Sequence, residues 1–244
     1  MSLKVTRRQA LRAMAARAKQ STSIVTLGLE PTRPATGYGY LQLGEQTASR
    51  KVGAFHRVER YVEKPDGRQA RELVRDGGHM WNAGTFAFRP ETFLRELHVQ
   101  MPEVATLLEG AFQKYGKRGF SAALKRAYDQ LPTISVDFGV MEHARDVEVL
   151  VAALDWDDLG SWDAVARHRR PDERGNRARG DVTLVGANNC VVDVEEGHVA
   201  LLGVSDLIVV RTGDTVLVAR RGRGEDVRQV VDELKRTGRE DLVQ

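Results

Sequence analysis

Thr85-Phe86-Ala87-Phe88, which ends at Pro90, is the stretch that decides the fold class. It has the composition of a short buried strand, and the proline stops it because it cannot donate to a sheet. Apolar residues at helical spacing follow it over three turns: Val104, Leu107, Leu108, Ala111, Phe112 and Tyr115. A strand followed by an amphipathic helix is the repeating unit of a layered α/β domain, so this class is predicted.

The pattern extends in both directions from this stretch. Further strands are predicted at 24–28, from residue 37, at 55–62 and at 147–154, and helices at 69–76, 121–129 and 135–143. A first helix is indicated by Leu11, Met14, Ala15 and Ala18, which recur at i, i+3, i+4 and i+7. Its many basic residues predict a surface helix with a basic outer face.

The pattern of apolar residues changes at the turn-rich segment 171–176. Short apolar runs then begin near Val182, Cys190, Val199, Leu207 and Thr215, and this spacing favours a small all-β unit of hairpins or stacked coils. Apolar residues from Val227 to Leu234 predict a closing helix. We therefore expect two domains, residues 1–170 and 171–244.

Composition limits the functional classes. The 244 residues are 41% apolar and 29% charged, with a net charge of +3, which suits an anionic ligand but is too weak to indicate nucleic-acid binding. The single cysteine, Cys190, favours a reducing compartment, so a cytoplasmic location is expected. No apolar stretch reaches membrane-spanning length, and no membrane association is predicted.

Four short motifs carry polar residues beside glycines: Gly37-Tyr38-Gly39-Tyr40, Val62-Glu63-Lys64-Pro65, Trp81-Asn82-Ala83-Gly84 and Asp157-Asp158-Leu159-Gly160-Ser161-Trp162. Each has an ordinary structural explanation when taken alone. In order, these are a strand edge, a solvated strand end, a turn and a helix-capping loop.

Taken together and in this order, the motifs resemble the nucleotidyltransferases that activate sugar 1-phosphates, and most closely the mannose-1-phosphate guanylyltransferases. The segments Val25–Thr32 and Ser135–Glu142 also support this, and the resemblance runs from about residue 20 to the C-terminus. It implies a Rossmann-like layer domain, a β-helix-like C-terminal unit, and conversion of GTP and mannose 1-phosphate to GDP-mannose and pyrophosphate.

The resemblance also implies roles for individual residues. Lys64 corresponds to the lysine that contacts the sugar phosphate, and Asp158 to a ligand of Mg²⁺ or another divalent cation; both are candidate catalytic residues. The other candidates are proposed to bind the sugar or to let it approach the backbone: Gly37, Gly39, Glu63, Asn82, Gly84 and Asp137. For Asp137, capping of a helix N-terminus is an equally good explanation.

Two features of the family have no counterpart in the 244 residues. No glycine-rich loop precedes the first strand, since the first glycine is Gly28, and no acidic residue precedes Glu30. We therefore expect an incomplete layer domain that transfers nucleotide poorly by itself, with open strand edges that a homodimer would cover. Two alternatives stay open: a non-catalytic sugar-phosphate-binding or partner-subunit module, and an interaction protein that uses its basic N-terminal helix.

Overall fold

The computed structural model describes residues 5–243. The chain divides into two compact units, Met1–Asp155 and Trp156–Gln244. The boundary predicted from the sequence lies later, at 170/171, and the intervening residues, including a short helix, belong to the second unit. The domain boundary at residue 170 stays a prediction.

The first unit combines helices with a mixed sheet, so the predicted α/β class is confirmed. Its helices are α1 (Arg7–Gln20), α2 (Gly67–Asp76), α3 (Pro90–Gln100), α4 (Pro102–Phe112) and α5 (Phe120–Tyr128). Its strands are β1 (Ile24–Leu29), β2 (Tyr40–Arg50), β3 (Gly53–Val62), β4 (His79–Ala87) and β5 (Val147–Val151). A π-helical turn, Asp137–Met141, precedes β5.

The five strands close into a barrel in the order β1-β4-β2-β3-β5. β1 pairs antiparallel with β4 and parallel with β5, so the expected open edge is absent from the described part of this sheet. The long β2–β3 hairpin closes the barrel because the start of β3 pairs with β5. Gly53 makes this approach possible, since a side chain there would collide with the carbonyl oxygen of Val151.

The predicted buried stripe of α1 is partly wrong. Met14 and Ala18 are buried as expected, but Ala10 is the third buried position, whereas Leu11 is 40% exposed. The basic side chain of Arg17 also turns inward, and its Nε and Nη2 atoms each lie 2.6 Å from a carboxylate oxygen of Glu148 on β5. The helix is therefore rotated by about one position relative to the sequence prediction.

Several predicted boundaries shift. The helical spacing predicted over 104–115 corresponds to α4, which ends at Phe112, and the preceding helix α3 was not predicted. Each of these two helices begins with a proline in its first turn. Strand β4 begins at His79, so the motif that includes Asn82 lies in a strand and is not an isolated turn. The helix predicted to reach His143 is the π-helical turn, which ends at Met141.

The second unit contains α6 (Trp162–Arg167), β6 (Arg177–Val185), β7 (Val191–Leu202), β8 (Leu207–Thr212), β9 (Thr215–Arg220) and α7 (Val227–Arg236). β6, β7 and β8 are parallel neighbours, and β9 is antiparallel to β8. Parallel neighbours joined by short loops are stacked coils, so both forms left open by the sequence occur. Cys190 lies in the buried core of this unit, and the predicted closing helix is confirmed as α7.

No helix within residues 5–243 is long and apolar enough to cross a lipid bilayer.

Candidate functional site

The end of β3 presents Glu63 and Lys64 side by side. The Glu63 side chain is only 7% exposed, so it is not the solvated strand end that its sequence allowed, whereas Lys64 is 47% exposed. Lys64 Nζ donates to Glu63 Oε1 over 2.8 Å and lies 5.7 Å from the centre of the Phe138 ring. The backbone of Lys64 has φ = 45°, an uncommon value that turns the chain sharply after the strand.

Asn82 on β4 is buried and held from both ends of its amide. Thr26 Oγ1 on β1 donates to Asn82 Oδ1 over 2.7 Å, and Asn82 Nδ2 donates to the Tyr61 hydroxyl on β3 over 2.7 Å. Side chains from three strands of the barrel therefore fix the orientation of this amide. Because both ends of this buried amide have hydrogen-bond partners, its oxygen and its nitrogen point in fixed directions. Recognition of a sugar hydroxyl requires such a fixed orientation.

Asp137 joins the same cluster from the π-helical turn. Its Oδ1 atom accepts a hydrogen bond from Tyr61 over 2.9 Å and lies 3.4 Å from Asn82 Nδ2. The capping explanation for Asp137 is wrong, because Val136 occupies the N-cap position and no side chain caps the turn there. Asp137 instead faces the residues that the sequence grouped with it as sugar ligands.

Tyr61 connects the members of the cluster and was missed in the sequence. Its hydroxyl lies within hydrogen-bond distance of Glu63, Asn82 and Asp137. Burial, and then the charges of Glu63 and Asp137, raise the pKa of Tyr61 well above its usual value, so the phenol stays protonated. The sequence did contain a signal for Tyr61. It precedes Glu63 by two residues, and residues two apart in a strand lie on the same face.

The glycines of the motifs have different surroundings. A Cβ atom at Gly39 would lie 2.6 Å from Glu63 Oε2 and 2.9 Å from the Tyr61 hydroxyl, so a larger residue there would displace the ends of these two side chains. Gly37 lies in the bend ahead of β2. Gly84 has φ = 60°, and the position of its missing Cβ is open space. The structure thus brings Gly39 into the cluster and places Gly37 and Gly84 on the flanking chain segments.

Gly84 also marks a bulge that orients Asn82. On β1, Thr26 pairs with Phe86 and Gly28 pairs with Asn82, so three residues of β4 lie opposite one residue of β1. Such an excess of residues kinks the strand locally. The left-handed backbone of Gly84 accommodates the kink, and Thr26 can then reach the amide of Asn82.

A cleft of about 540 Å³ adjoins the cluster. Tyr61 and Glu63 form part of its wall together with Gln69, Glu142 and His143. Asn82, Lys64 and Gly39 are not among the residues that line it. The cluster is therefore reached from this cleft only through Tyr61 and Glu63.

Asp158 belongs to the second unit and is exposed in the loop ahead of α6. Its neighbour Asp157 forms two hydrogen bonds of 2.6 Å with Arg167. The N-terminus of α6 is capped by Ser161, whose hydroxyl accepts from the backbone N–H of Ala164. Neither aspartate is the helix cap that the sequence allowed as an explanation.

Metal-binding groups are sparse in the part of the chain that the structure describes. Within residues 5–243, no three or more His, Cys, Asp and Glu side chains are grouped so that they could hold a metal ion. Mg²⁺ commonly takes only one or two carboxylates and completes its shell with water and substrate phosphates. The exposed carboxylate of Asp158 fits that kind of shared site, but it does not make a site by itself.

Comparison with known proteins identifies the family. A family model described as nucleotidyl transferase matches residues 4–174. The chain belongs to this family. A second model, described as a MannoseP isomerase/GMP-like beta-helix domain, matches residues 180–234, in agreement with the stacked coils of the second unit. The family resemblance and the two-part fold class read from the sequence are confirmed.

Relatives of this family member cover most of its length. Xanthan biosynthesis protein XanB of Xanthomonas campestris (strain B100) is 36% identical over 95% of this chain and 48% of its own length. The mannose-1-phosphate guanylyltransferase of Escherichia coli K12 is 35% identical over 90% of this chain and 46% of its own length. The chain thus spans about half the length of these curated relatives.

A solved structure from Thermus thermophilus extends the likeness to three dimensions. The protein, named mannose-1-phosphate geranyltransferase, is 37% identical to this chain, with a TM-score of 0.77. The match covers 93% of this chain and 64% of that one.

Proposed function

We propose that this chain binds a sugar 1-phosphate for nucleotidyl transfer, and that the reaction is the conversion of GTP and mannose 1-phosphate to GDP-mannose and pyrophosphate. The observation that carries the proposal is the convergence of Glu63, Asn82 and Asp137 on one buried hydroxyl beside the Lys64 ammonium. Carboxylates and an oriented amide suit sugar hydroxyls, and the ammonium suits a phosphate oxygen.

The chemistry requires positioning and charge neutralisation more than proton transfer. An oxygen of the sugar phosphate attacks the α-phosphorus of the triphosphate, and the bond from this phosphorus to the bridging oxygen of pyrophosphate breaks. The nucleophile is already ionised, so no general base is needed. Residues that orient the sugar phosphate and balance its charge therefore contribute most of the catalysis supplied by this unit.

Lys64 is proposed to hold the phosphate. Its ammonium carries three donors, and the structure shows one of them on Glu63 and the side chain 47% exposed. The remaining donors can meet a phosphate oxygen while Glu63 keeps the lysine in place. The Lys64 ammonium lies at the edge of the cluster, 2.8 Å from Glu63 Oε1.

Asp158 is proposed as one carboxylate ligand of a divalent cation that it shares with the substrate phosphates. Such a cation, when bound, offsets the negative charge that accumulates on the phosphates. The sugar-side residues in the first unit do not depend on it, because their hydrogen bonds are made among themselves. We therefore expect sugar-phosphate binding to persist without the cation and nucleotidyl transfer to require it.

The experiment combines binding and turnover. Mannose 1-phosphate is titrated calorimetrically into the chain with and without Mg²⁺, and pyrophosphate release is measured with GTP. Lys64→Ala is expected to weaken binding about tenfold or more, since it removes a charge-assisted contact. Lys125→Ala, which breaks only a 2.9 Å surface pair with Asp129, is the matched control and should bind normally.

Asp158→Asn separates the two functions in the same assays. We expect it to bind mannose 1-phosphate like the unchanged chain and to lose any Mg²⁺-dependent turnover. Equal binding by the Lys64→Ala variant would remove Lys64 from the site. Unaltered turnover in Asp158→Asn would remove the carboxylate from the cation site.

The second candidate is a non-catalytic sugar-phosphate-binding or partner-subunit module. The completeness of the sugar-side cluster within one compact unit favours it, because that cluster needs no nucleotide. Binding of mannose 1-phosphate that is independent of Mg²⁺, with no pyrophosphate release under any condition, would select this candidate. The homodimer also stays a prediction, which sedimentation analysis would test.

A further inference from the structure

The Tyr61 hydroxyl faces two carboxylates with a single proton. Its oxygen lies 2.9 Å from Asp137 Oδ1 and 3.2 Å from Glu63 Oε2. An ionised carboxylate can only accept, and a phenol has one proton to donate. Tyr61 can therefore satisfy one of the two acidic residues at any moment.

The neighbouring amide decides where that proton can go. Asn82 Nδ2 donates to Tyr61, and Thr26 donates to the other end of the amide. If the Asn82 amide were reversed, its oxygen would accept the hydrogen bond from the Tyr61 hydroxyl. Both carboxylates would then face a lone pair of the phenolic oxygen and would lose their donor. Because unpaired buried charges are costly, the orientation shown is favoured, and the phenolic proton is directed to Asp137 or Glu63.

Other donors in the cluster do not remove the shortage. Lys64 Nζ is bonded to the other oxygen of Glu63, and the second N–H of Asn82 reaches Asp137 Oδ1 only at 3.4 Å. Within the described hydrogen bonds of the first unit, Asp137 and Glu63 Oε2 thus compete for one good donor. A hydroxyl group of a ligand could act as a second donor to this pair of carboxylates.

We propose that Tyr61 is a positioning residue that couples Glu63 and Asp137 into one recognition unit for neighbouring hydroxyl groups of the sugar. A ligand hydroxyl that donates to one carboxylate leaves the phenolic proton to the other. Both carboxylates then have a donor at the same time. This inference rests on the proposed function, which supplies the hexose phosphate as the ligand.

Other charged groups near Tyr61 must be separated from this effect. Glu63, Asp137 and Lys64 face the cluster, while Glu59, Arg60, Glu142 and His143 line the adjoining cleft. The charges of the cleft residues act on binding in the unchanged chain and in a Tyr61 variant alike. The difference between the two proteins therefore isolates the phenol.

The test is Tyr61→Phe with mannose 1-phosphate as the probe, titrated calorimetrically at neutral pH. We expect binding to weaken about tenfold or more, since a bond to a charged group is lost. The weakening should be smaller in a chain that also carries Glu63→Gln, because only one carboxylate then needs a donor and the amide supplies an N–H of its own.

Two further comparisons keep the test specific. The effect of Tyr61→Phe is measured with and without Glu63→Gln, and a phenol with a merely structural role would cost the same in both backgrounds. Tyr40→Phe removes another buried hydroxyl, which donates to the carbonyl oxygen of Ala35 over 3.0 Å. This control should bind like the unchanged chain.

A second readout needs no ligand. The loss of unfolding free energy caused by Tyr61→Phe should be smaller in a chain that also carries Glu63→Gln than in the unchanged chain. Equal losses in the two backgrounds, or unaltered binding, would overturn the coupling. If the unchanged chain does not bind the probe but the unfolding difference is seen, the coupling stands and the sugar-phosphate assignment fails.

Discussion

Replacement of Arg17 with alanine should destabilise the first unit by about 3 kcal/mol. Arg17 Nε and Nη2 each lie 2.6 Å from an oxygen of Glu148, whose side chain is 4% exposed. Breaking a buried ion pair costs about 3–5 kcal/mol, because the remaining charge is left without a partner. Arg17 itself is 23% exposed, so water can enter the vacated space, and the lower end of that range applies.

Urea unfolding at neutral pH measures this loss. Trp81 lies in the first unit, whereas Trp156 and Trp162 lie in the second, so fluorescence after Trp156→Phe and Trp162→Phe reports the first unit alone. Adding Glu148→Gln to Arg17→Ala should recover part of the loss, because a neutral amide needs no cation. Both single and double variants are expected to keep the α1 helix, whose capping box at Thr6 is untouched.

Arg57→Ala provides the control for this experiment. Arg57 forms a 3.0 Å pair with Glu45, in which both side chains are more than half exposed, and a longer 3.7 Å pair with Asp146. Because Arg57 itself is 53% exposed, its replacement should cost no more than about 1 kcal/mol. If Arg17→Ala destabilises no more than Arg57→Ala, the buried pair does not fasten α1 to β5 and the reasoning is refuted.

Two further predictions concern the cluster and the second unit. Gly39→Ala places a Cβ 2.6 Å from Glu63 Oε2 and should weaken mannose 1-phosphate binding about tenfold or more, whereas Gly110→Ala, which meets nothing within 4 Å, should bind normally. Burial would raise the pKa of Asp193, but hydrogen bonds from Arg179 and Arg169 outweigh it and hold that pKa below its usual value. A carboxyl group whose pKa is lower in the folded state stabilises the fold at pH values above its pKa in the unfolded state, which is about 4. This contribution is lost as the pH falls. When acid unfolding is followed by circular dichroism, the unfolding free energy of Asp193→Asn should therefore fall less steeply with decreasing pH than that of the unchanged chain. The same pH dependence in both proteins would contradict this.

Local patterns predicted the elements that depend on local interactions. The apolar run that forms β1, the helix α5 and the closing helix α7 were each located within a few residues. Their signals are periodicity and turn residues, which lie within the element itself. Glu63, Lys64, Asn82 and Asp137 were grouped only through the family resemblance, since no spacing rule brings β3, β4 and the π-helical turn together.

The features that the sequence did not predict depend on distant parts of the chain. The inward turn of Arg17 is explained by Glu148, which is 131 positions further along. An arginine on a basic helix is ordinarily expected to face water, and only a buried carboxylate opposite it reverses that expectation. Closure of the barrel likewise depends on the contact of β3 with β5, which no local pattern in either strand specifies.

The motif around Asn82 shows why a local interpretation can be correct in part and still assign the wrong element. Its glycine suggested a turn, and Gly84 does adopt a left-handed backbone, but within a strand bulge. The bulge matters for the site because it shifts the pairing register between β4 and β1. As a result, the Thr26 side chain donates a hydrogen bond to Asn82 although the backbones of these two residues are not paired. Thr26 then sets the direction of the amide, and the amide directs the proton of Tyr61 toward the carboxylates. If the cluster binds the sugar as proposed, Gly84 contributes to this binding through the strand register, in addition to the predicted approach of its backbone to the sugar.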